Sequence, residues 1–301
     1  MNHQNITMAP QLLDGRKAAE AWRKEIFDQV QAMIAAGHRP PALTAVRIGE
    51  DPASALYVKN KMKAAQSVGF HFDELTLPAD VSQQQAEDAI RGLNDDPLVD
   101  GYILQLPIPD HLDLESLILS FSARKDADGF HPLNIGRLFR EHPEAILPAT
   151  PQGILRLLDH YHIEVEGKHC VVVGRSFIVG KPMAMLLQRK KGRPGNATVT
   201  LTHSRTPDIA RFTRQADILI VAVGRPHWLD GEMIKEGSVI IDVGIHRVQS
   251  ARGPRWTGDV DFASAAPKAR WITPVPGGIG PMTVASLLWN VLLIARRRRG
   301  L

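Results

Sequence analysis

Two series of alternating strand-like and helix-like segments, separated by a proline-rich break, constrain the fold more than any other feature of this sequence. In the first series the predicted helices cover 16–36, 52–68 and 82–93, and the predicted strands cover 42–48, 72–77 and 99–106. The break is Leu147-Pro-Ala-Thr-Pro151, and residues 152–161 then favour a connecting helix. Further strands are predicted at 168–173, 197–202, 217–223 and 238–243. This alternation indicates an α/β fold with mostly parallel sheets covered by helices.

The two series predict two domains, for which a chain of 301 residues is long enough. The second series has the strand–turn–helix order of a doubly wound nucleotide-binding domain, which we expect to begin at residue 150. An apolar helix is predicted after Thr283. That helix could cap the second domain or return to the first.

A glycine turn follows the first strand of the second series, in Val171-Val-Val-Gly-Arg-Ser-Phe-Ile-Val-Gly-Lys181. Gly174 permits a tight turn and Gly180 permits close packing of helix on strand, while the helix start between them offers free N–H groups to a pyrophosphate. Ser176 stands where the common motif has its second glycine, so the motif alone is weak. Its place at the start of the restarted series favours a dinucleotide site.

The second strand of this series ends in His203-Ser-Arg-Thr206, without the acidic residue that usually holds the ribose hydroxyl of NAD. Ser204 and Arg205, with Arg175 from the first turn, instead offer a hydroxyl and two guanidiniums that suit a 2′-phosphate. Solvated loop arginines are the alternative. The sequence favours NADP over NAD.

The run Thr273-Pro-Val-Pro-Gly-Gly-Ile-Gly-Pro-Met-Thr283 leads into the apolar segment 284–295. Its prolines stiffen the backbone, while its glycines allow unusual conformations or direct contact with a flat ligand. The run, with Pro276, Gly277 and Gly278 at its centre, predicts a ligand-binding loop; a tight structural turn is the alternative.

Polar residues of the first series form a second candidate site. Tyr57 and Lys61 are four residues apart on a predicted helix and therefore share a face, although an ordinary amphipathic surface has the same spacing. Gln105 is a polar side chain near the carboxyl end of an apolar strand, where such sheets bind ligands. Asp126 and Asp128 lie in a loop with a glycine, which commonly means only a turn.

Composition and charge exclude several classes of protein. The net charge of +4 equals the charge of the Arg296–Arg299 run, so the remainder is balanced and argues against a nucleic-acid surface. We expect the run to be solvated, with contact to RNA or a membrane as the alternative. A single cysteine, Cys170, excludes an internal disulfide and a cysteine-built metal site, and we expect it to be buried.

The termini favour a cytoplasmic protein without a membrane partner. Residues 1–10 lack the basic-then-apolar order of a signal peptide. The longest apolar stretch, near 286–295, is interrupted by Asn290 and is predicted to be too short to span a bilayer.

Taken together, these segments resemble the bifunctional methylenetetrahydrofolate dehydrogenase/methenyltetrahydrofolate cyclohydrolase family. The matching motifs occur in family order over nearly the whole chain. They are Tyr57-x-x-x-Lys61, Gly101-Tyr-Ile-Leu-Gln-Leu-Pro-Ile-Pro109, Lys125-Asp-Ala-Asp-Gly129, Thr150-Pro-Gln-Gly153, Val171-Val-Val-Gly-Arg-Ser176, Asp242-Val-Gly-Ile245, Gly258-Asp-Val-Asp-Phe262 and the 273–283 run.

The resemblance implies a homodimer in which each chain has two α/β domains with a cleft at their junction. A folate-binding catalytic domain would comprise residues 1–149 and 284–301, so that the C-terminal helix returns to it. An NADP-binding, Rossmann-like domain would comprise residues 150–283. The implied activities are NADP-dependent oxidation of methylenetetrahydrofolate and hydrolysis of the methenyl product to 10-formyltetrahydrofolate, with no metal.

The resemblance also implies roles for single residues. Lys61 matches the family's catalytic lysine, Gln105 its hydrogen-bonding partner, Tyr57 the tyrosine that stacks on the folate, and Asp128 the carboxylate that holds the pterin amino group. Substrate contacts are further expected from the residues Pro276, Gly277 and Gly278. Cofactor contacts are expected from Gly174, Arg175, Ser176, Gly180, Ser204, Arg205, Gly224 and Ile245.

Three positions depart from the family pattern. Phe177 stands where a polar residue is usual, Ala149 where cysteine is frequent, and His246 where asparagine is frequent. Two rival functions are another two-domain NADP dehydrogenase of the shikimate type and a nucleotide-binding regulator without catalysis. The first leaves the 273–283 run unexplained, and the second should have lost Lys61 or Asp128.

Overall fold

A computed structural model describes residues 10–250 and 253–301, so the expectation that the N-terminus lacks a signal peptide falls almost wholly outside the described residues. The chain divides into two compact units. The six-stranded unit contains residues 10–19 and 150–283, and the three-stranded unit contains residues 20–149 and 284–301.

The six-stranded unit is built on a parallel sheet in the order β1-β11-β8-β7-β5-β6. Its strands are β1 Gln11–Leu12, β5 His169–Val173, β6 Thr198–Thr202, β7 Ile218–Val221, β8 Val239–Asp242 and β11 Trp271–Ile272. The central strands β7 and β8 are buried throughout, which explains their nearly continuous apolar sequences. Side chains such as Val171, Leu219 and Ile240 form the core.

Short helices and an antiparallel hairpin complete this unit. They are α6 Ala149–His160, α7 Gly180–Gln188, α8 Ile209–Thr213, α9 Phe262–Ala265 and the hairpin strands β9 His246–Ser250 and β10 Gly253–Thr257. The predicted break at 147–151 is wrong in part, because α6 already begins at Ala149 and includes Pro151. A proline is tolerated in the first turn of a helix, where its missing N–H has no intrahelical partner.

The N-terminal strand differs from the predicted domain boundary. The predicted boundary places residues 10–19 in the first domain, but β1 pairs in parallel with β11 at the edge of the six-stranded sheet. The N–H of Leu13 also donates to the carbonyl of Ile272 over 3.0 Å. Two residues of strand carry too little periodicity for a sequence pattern to assign them to a sheet.

The three-stranded unit has the parallel order β3-β2-β4, formed by β2 Ala42–Ile48, β3 His71–Leu77 and β4 Gly101–Leu104. Its helices are α2 Pro52–Ser67, α3 Gln83–Asp95, α4 Leu114–Leu119 and α5 Pro132–Phe139. Local signals fix their starts: Asp51 caps α2 ahead of Pro52, and Ser82 with Gln85 forms a capping box on α3. The longer helices α1 Gly15–Ala35 and α10 Ile279–Arg298 begin in the six-stranded unit and continue here.

The C-terminal helix α10 returns to the three-stranded unit, as the resemblance implied. Asn290, which interrupts the apolar stretch, is fully buried and donates through Nδ2 to the carbonyls of Ala127 (2.8 Å) and Leu147 (2.9 Å). The prediction that this stretch is too short to span a membrane is wrong, because the stretch belongs to the 20-residue helix α10, whose most apolar 18-residue window has a mean hydropathy of 1.4. Since 61% of its most apolar window is buried, it has the character of a core helix.

The arginine run is the end of α10 rather than a free tail. The prediction of a solvated run is therefore wrong in part: Arg297 and Arg298 are exposed, but the run also makes specific hydrogen bonds. Arg297 and Arg298 donate to main-chain carbonyls, including that of Pro143 at 3.0 Å and that of Val99. Arg299 donates to Asp100, a carboxylate only 1% exposed that also receives both terminal nitrogens of Arg39. Three of the four arginines lie in the last turn of α10 and the fourth follows it, and only the tertiary structure provides their acceptors.

Candidate active site

Tyr57 and Lys61 lie on α2 one helical turn apart, as their spacing predicted. Tyr57 is 44% exposed, so its ring is accessible for stacking on a planar ligand. Lys61 is partly buried, and its Nζ donates to Oε1 of Gln105 over 2.9 Å. The two polar residues picked out from separate segments are therefore neighbours.

Gln105 is held in one orientation. It lies just beyond the end of β4 and is 7% exposed, and its Nε2 donates to the carbonyl of Leu106 over 2.6 Å. Because the amide nitrogen is engaged there, the amide oxygen faces Lys61. Loss of hydration lowers the pKa of Lys61, and the negative charge of Asp128 acts in the opposite direction. A lysine whose pKa is lowered in this way loses its proton more readily than a surface lysine, which suits a role in proton transfer.

Asp126 and Asp128 have different surroundings although they share one loop. The carboxylate of Asp126 is fully buried and accepts the N–H groups of Gly129 (3.0 Å) and His131 (2.8 Å) and Nδ2 of Asn134 (2.9 Å). Asp126 thus organises the loop that presents Asp128. The turn itself needs glycine, because Gly129 has φ +72° and a Cβ would lie 2.7 Å from the carbonyl oxygen of Ile146.

Asp128 is the acid that remains for a ligand. Desolvation raises its pKa to about 6, while the nearby Lys61 ammonium opposes that shift and Asp126 adds to it. Lys61 and Asp128 are thus a base and an acid whose pKa values are both displaced toward neutrality within one unit. Such pairs cluster at catalytic and binding sites.

The sequence did not single out Ser54, which is another polar group of this region. It is 3% exposed on α2, and its Oγ has no hydrogen-bond partner among the residues that the structure describes. Its position three residues before Tyr57 was a usable signal, because i and i+3 share a helix face.

In the six-stranded unit, the glycine turn after β5 is as tight as the sequence predicted. Gly174 has φ +124°, and a Cβ on Gly180 would lie 2.0 Å from the carbonyl oxygen of Gly174. Ser176 closes the turn, since its Oγ accepts the N–H groups of Val179 (3.1 Å) and Gly180 (3.4 Å). The start of α7 therefore rests directly on the turn, as in dinucleotide-binding folds.

A cavity of about 390 Å³ opens at the carboxyl ends of β5, β6 and β7. Its charged and polar lining includes Arg175, Ser176, Ser204 and Arg225, beside the indole of Trp228. Arg205 is exposed and is not among the residues lining this cavity. The cavity has the size and mixed lining of a small-molecule site, and its chemistry fits a phosphorylated nucleotide.

The loop after β7 is fixed by a buried acid that the sequence analysis did not identify. Asp259 is fully buried and accepts the N–H groups of Val223 (2.6 Å), Gly224 (3.0 Å) and Arg225 (3.0 Å). Gly224 has φ +73° and lies in this loop, whereas the predicted cofactor residue Ile245 follows β8 and is 47% exposed.

The 273–283 run includes the first turn of α10 and packs closely against the start of α1. The predicted helix start at residue 284 is wrong, because α10 begins at Ile279 and its first turn accepts Pro281. Gly278 lies directly against Gly15, where a Cβ would be 1.7 Å from the Gly278 carbonyl oxygen, and Gly277 has φ +112°. Pro276, Gly277 and Gly278 belong to the six-stranded unit, whereas Tyr57, Lys61, Gln105 and Asp128 are together in the other.

The three residues that depart from the family pattern differ in their contacts and exposure. Nε2 of His246 lies 2.7 Å from Oδ1 of Asp259, so this side chain takes part in holding the loop after β7. Phe177 is 40% exposed and Ala149 is 3% exposed. Cys170 is fully buried as predicted, and desolvation raises its pKa to about 12, which makes it a poor nucleophile.

Comparisons with known proteins identify the family. The family model of the tetrahydrofolate dehydrogenase/cyclohydrolase catalytic domain matches residues 13–128, and that of the NAD(P)-binding domain matches residues 148–299. The bifunctional protein FolD of Flavobacterium johnsoniae is 50% identical over 291 residues, which are 96% of this chain and 98% of that protein. The corresponding protein of Phocaeicola vulgatus is 47% identical over 95% of this chain and 98% of its own length.

Solved structures agree. The bifunctional FolD methylenetetrahydrofolate dehydrogenase/cyclohydrolase of Campylobacter jejuni superimposes with a TM-score of 0.91 at 40% identity, covering 96% of this chain and all of that one. The Trypanosoma brucei enzyme, solved with NADP and an inhibitor, gives a TM-score of 0.89 at 39% identity over 97% and 99% of the two chains. The two-domain α/β fold, the paired polar residues of one unit and the glycine turn of the other agree with these matches, and the chain belongs to the tetrahydrofolate dehydrogenase/cyclohydrolase family.

Proposed function

We infer that this protein oxidises 5,10-methylenetetrahydrofolate to 5,10-methenyltetrahydrofolate with NADP and hydrolyses the product to 10-formyltetrahydrofolate. The observation that carries the inference is the contact of Lys61 with Gln105 beside Asp128, in a chain that matches bifunctional relatives over nearly its full length. The enzyme is thus both an oxidoreductase and a hydrolase of one-carbon folate metabolism, which supplies purine biosynthesis.

For hydride transfer, the main task of the protein is to position the reacting carbon of the substrate. The substrate carries a carbon between two nitrogens, whose lone pairs expel hydride from that carbon and leave a methenyl cation. NADP⁺, when bound, supplies the acceptor for the hydride. Tyr57 stacks on the folate and the carboxylate of Asp128 holds the pterin amino group, so the reacting carbon is oriented before reaction. No general base is required at this step.

Ring opening requires a proton carrier. Water attacks the methenyl carbon, and both of its protons leave the attacking oxygen: one is transferred to the ring nitrogen whose bond to that carbon breaks, and the other is released to solvent. The net reaction releases one proton. Lys61 is suited to carry the proton from the water oxygen to the ring nitrogen, because burial lowers the pKa of Lys61 and Gln105 fixes its amino group.

We assign the cofactor preference to NADP. Arg175 and Ser204 line one cavity, and no acidic residue follows β6 where an NAD site usually has one. Gly174, Ser176 and Gly180 form the pyrophosphate turn, while Gly224 and Ile245 follow the neighbouring strands. Arg205 stays a predicted contact.

An absorbance assay of methenyl formation tests this function. With methylenetetrahydrofolate and NADP⁺, the protein should form the methenyl product and then remove it faster than the spontaneous hydrolysis. NAD⁺ should support the first step far less well. If neither cofactor yields the methenyl product, the dehydrogenase assignment fails; if it forms but decays only at the spontaneous rate, the cyclohydrolase assignment fails.

We also propose that the enzyme is a homodimer in the cytoplasm and has neither a nucleic-acid nor a membrane partner. Support comes from the balanced charge outside the arginine run and from the hydrogen bonds that hold this run to Asp100 and to main-chain carbonyls. Sedimentation equilibrium of the full chain should give twice the monomer mass of 33.2 kDa. A monomer over the whole concentration range would contradict the dimer.

A further inference from the structure

The cavity at the carboxyl ends of β5, β6 and β7 contains two guanidiniums that come from different loops. Arg175 follows β5, and Arg225 follows β7, on the opposite side of the glycine turn from Ser204. No aspartate or glutamate lines the cavity, and neither guanidinium has a carboxylate partner within residues 10–250 and 253–301. Two unneutralised cations that face one cavity favour an anion carrying more than one negative charge.

The loop that carries Arg225 is fixed in place rather than free to turn outward. Three consecutive N–H groups, of Val223, Gly224 and Arg225, donate to the fully buried carboxylate of Asp259 at 2.6–3.0 Å. A buried carboxylate with three amide donors and an imidazole neighbour is a rigid anchor, because losing any partner would leave charge unpaired away from water. The main chain at Arg225 is therefore already ordered before binding, so that only the side chain loses freedom when a ligand binds.

We propose that Arg225 is a specificity-determining residue that binds the 2′-phosphate of the nucleotide together with Arg175 and Ser204. The proposal rests on the NADP preference argued above and assigns to it a residue that sequence analysis did not consider. A 2′-phosphate carries nearly two negative charges at neutral pH, which two guanidiniums match better than one. The pyrophosphate does not need Arg225, because the glycine turn and the start of α7 already provide its donors.

Calorimetric titration of the full-length protein with 2′,5′-ADP and with 5′-AMP tests this proposal, since the two probes differ at the 2′ position. In Arg225→Ala, the affinity for 2′,5′-ADP should fall about ten- to a hundredfold, and that for 5′-AMP should change less than about threefold. Arg225→Lys should recover part of the loss, because it restores the charge without the planar fork. Arg211→Ala is the matched control: it removes an exposed arginine of the adjacent helix α8 that does not line the cavity.

The outcomes separate this inference from the proposed function. If the wild-type protein binds 2′,5′-ADP no better than 5′-AMP, the NADP preference itself fails. If the wild type discriminates but Arg225→Ala discriminates equally well, Arg225 has no part in recognising the phosphate and the inference is overturned. Equal losses for both probes would also overturn it, because they would place Arg225 against the adenosine or the 5′-phosphate. Unchanged thermal unfolding of Arg225→Ala would exclude a folding defect as the cause of lost binding.

Discussion

At the scale of single residues, burial gives similar side chains different chemistry. Asp126 and Asp128 are two positions apart. The carboxylate of Asp126 accepts hydrogen bonds from the loop and from Asn134, whereas that of Asp128 lies near the Lys61 ammonium. Lys61 likewise differs from the surface lysines of α2 because it is desolvated and held by Gln105. Sequence spacing selects these residues, but only their surroundings distinguish a reactive group from a structural one.

The roles of Lys61 can be separated by Lys61→Met, which keeps the apolar stem and removes the amino group. Because proton transfer by a positioned side chain typically contributes 10²–10⁴-fold, we expect the cyclohydrolase rate to fall by about that factor. The dehydrogenase rate should fall less, so the methenyl product should accumulate. Parallel assays measure both rates, with Lys63→Met on the same helix as the control. An unchanged hydrolysis rate after subtraction of the spontaneous reaction would remove Lys61 from the mechanism.

The raised pKa of Asp128 predicts a pH-dependent stability. Folding favours its protonated form, because the pKa rises from 3.8 to about 6 in the native protein. This contribution is fully present below about pH 4 and is lost as the pH rises through 6, so the ionised form costs roughly 1–3 kcal/mol above that pH. Asp128→Asn should therefore raise the unfolding temperature at pH 7.5, and the gain should shrink at pH 5.

The same Asp128→Asn variant should weaken folate binding, since a neutral amide cannot make charge-assisted bonds to the pterin. Asp110→Asn, an exposed acid of the same unit, is the matched control and should change neither property. An unfolding temperature of Asp128→Asn equal to that of wild type at both pH values would contradict the raised pKa.

At the scale of elements, close approach and buried charge decide which substitutions are tolerated. The first residues of helix α7 contact the turn after β5, so a shift of the helix would also move the turn that is proposed to bind the nucleotide. Helix α10 ends in arginines that reach carbonyls and the buried Asp100. The α7 contact and the arginine contacts of α10 should therefore each be disrupted by a single substitution.

Gly180→Ala tests the first contact. A Cβ there would lie 2.0 Å from the Gly174 carbonyl oxygen, so the turn or α7 must move. Overpacking of this kind costs about 1–3 kcal/mol, and we expect NADP affinity to fall at least about tenfold by titration. Gly136→Ala in α5, where nothing lies within 4 Å of the new Cβ, should instead gain about 0.5–1 kcal/mol. Wild-type affinity in Gly180→Ala would mean that this contact does not shape the site.

Asp100→Asn tests the second. The carboxylate is 1% exposed and pairs with Arg39 (2.8 Å) and Arg299 (2.9 Å), and removing its charge leaves these guanidiniums unneutralised. Because the guanidinium of Arg39 is 35% exposed and that of Arg299 is 12% exposed, the loss of their charged acceptor should cost about 1.5–3 kcal/mol. Denaturant unfolding should show a loss of about this size, whereas Lys24→Ala, which breaks the exposed pair with Asp28, should cost less than about 1 kcal/mol. Equal effects of the two variants would show that burial does not strengthen the Asp100 cluster.

At the scale of the whole molecule, the residues proposed to bind the two ligands are divided between the two units. The proposed cofactor residues belong to the six-stranded unit together with the proposed substrate residues Pro276, Gly277 and Gly278. The other proposed substrate and catalytic residues, Tyr57, Lys61, Gln105 and Asp128, belong to the three-stranded unit. The chain crosses between the units through α1, α6 and α10, so each unit is assembled from segments that are not contiguous in sequence.

Hydrogen exchange should show that the two ligands protect different segments of the chain. NADP⁺ at 100 times its dissociation constant stabilises the folded state by about 2.7 kcal/mol, so exchange should slow in the segments 174–181 and 222–225. A folate analogue alone should instead slow exchange near 57–61 and 126–129. Protection by NADP⁺ limited to 57–61 would contradict the assignment of the cofactor to the six-stranded unit.

Local chemistry explains why much of this protein could be predicted from its sequence. Hydrophobic periodicity located the main strands and long helices, and β2 was found with the predicted bounds because a buried parallel strand is a continuous apolar run. Glycines with tight surroundings marked the turn after β5, and matching motifs along the chain identified the family. These signals are local, since each depends on residues within a few positions of one another.

The tertiary structure decided the rest, because the relevant partners are far apart in the sequence. Nothing near Asp259 indicates that its carboxylate will hold the loop at 223–225, and nothing near the arginine run indicates Asp100 as its acceptor. The short strand β1 joins a sheet whose other strands begin over 150 residues later. Sequence determined the fold class and the chemistry of the reacting groups; which groups are desolvated, paired or free to bind a ligand followed only from folding, since burial is a property of the assembled chain.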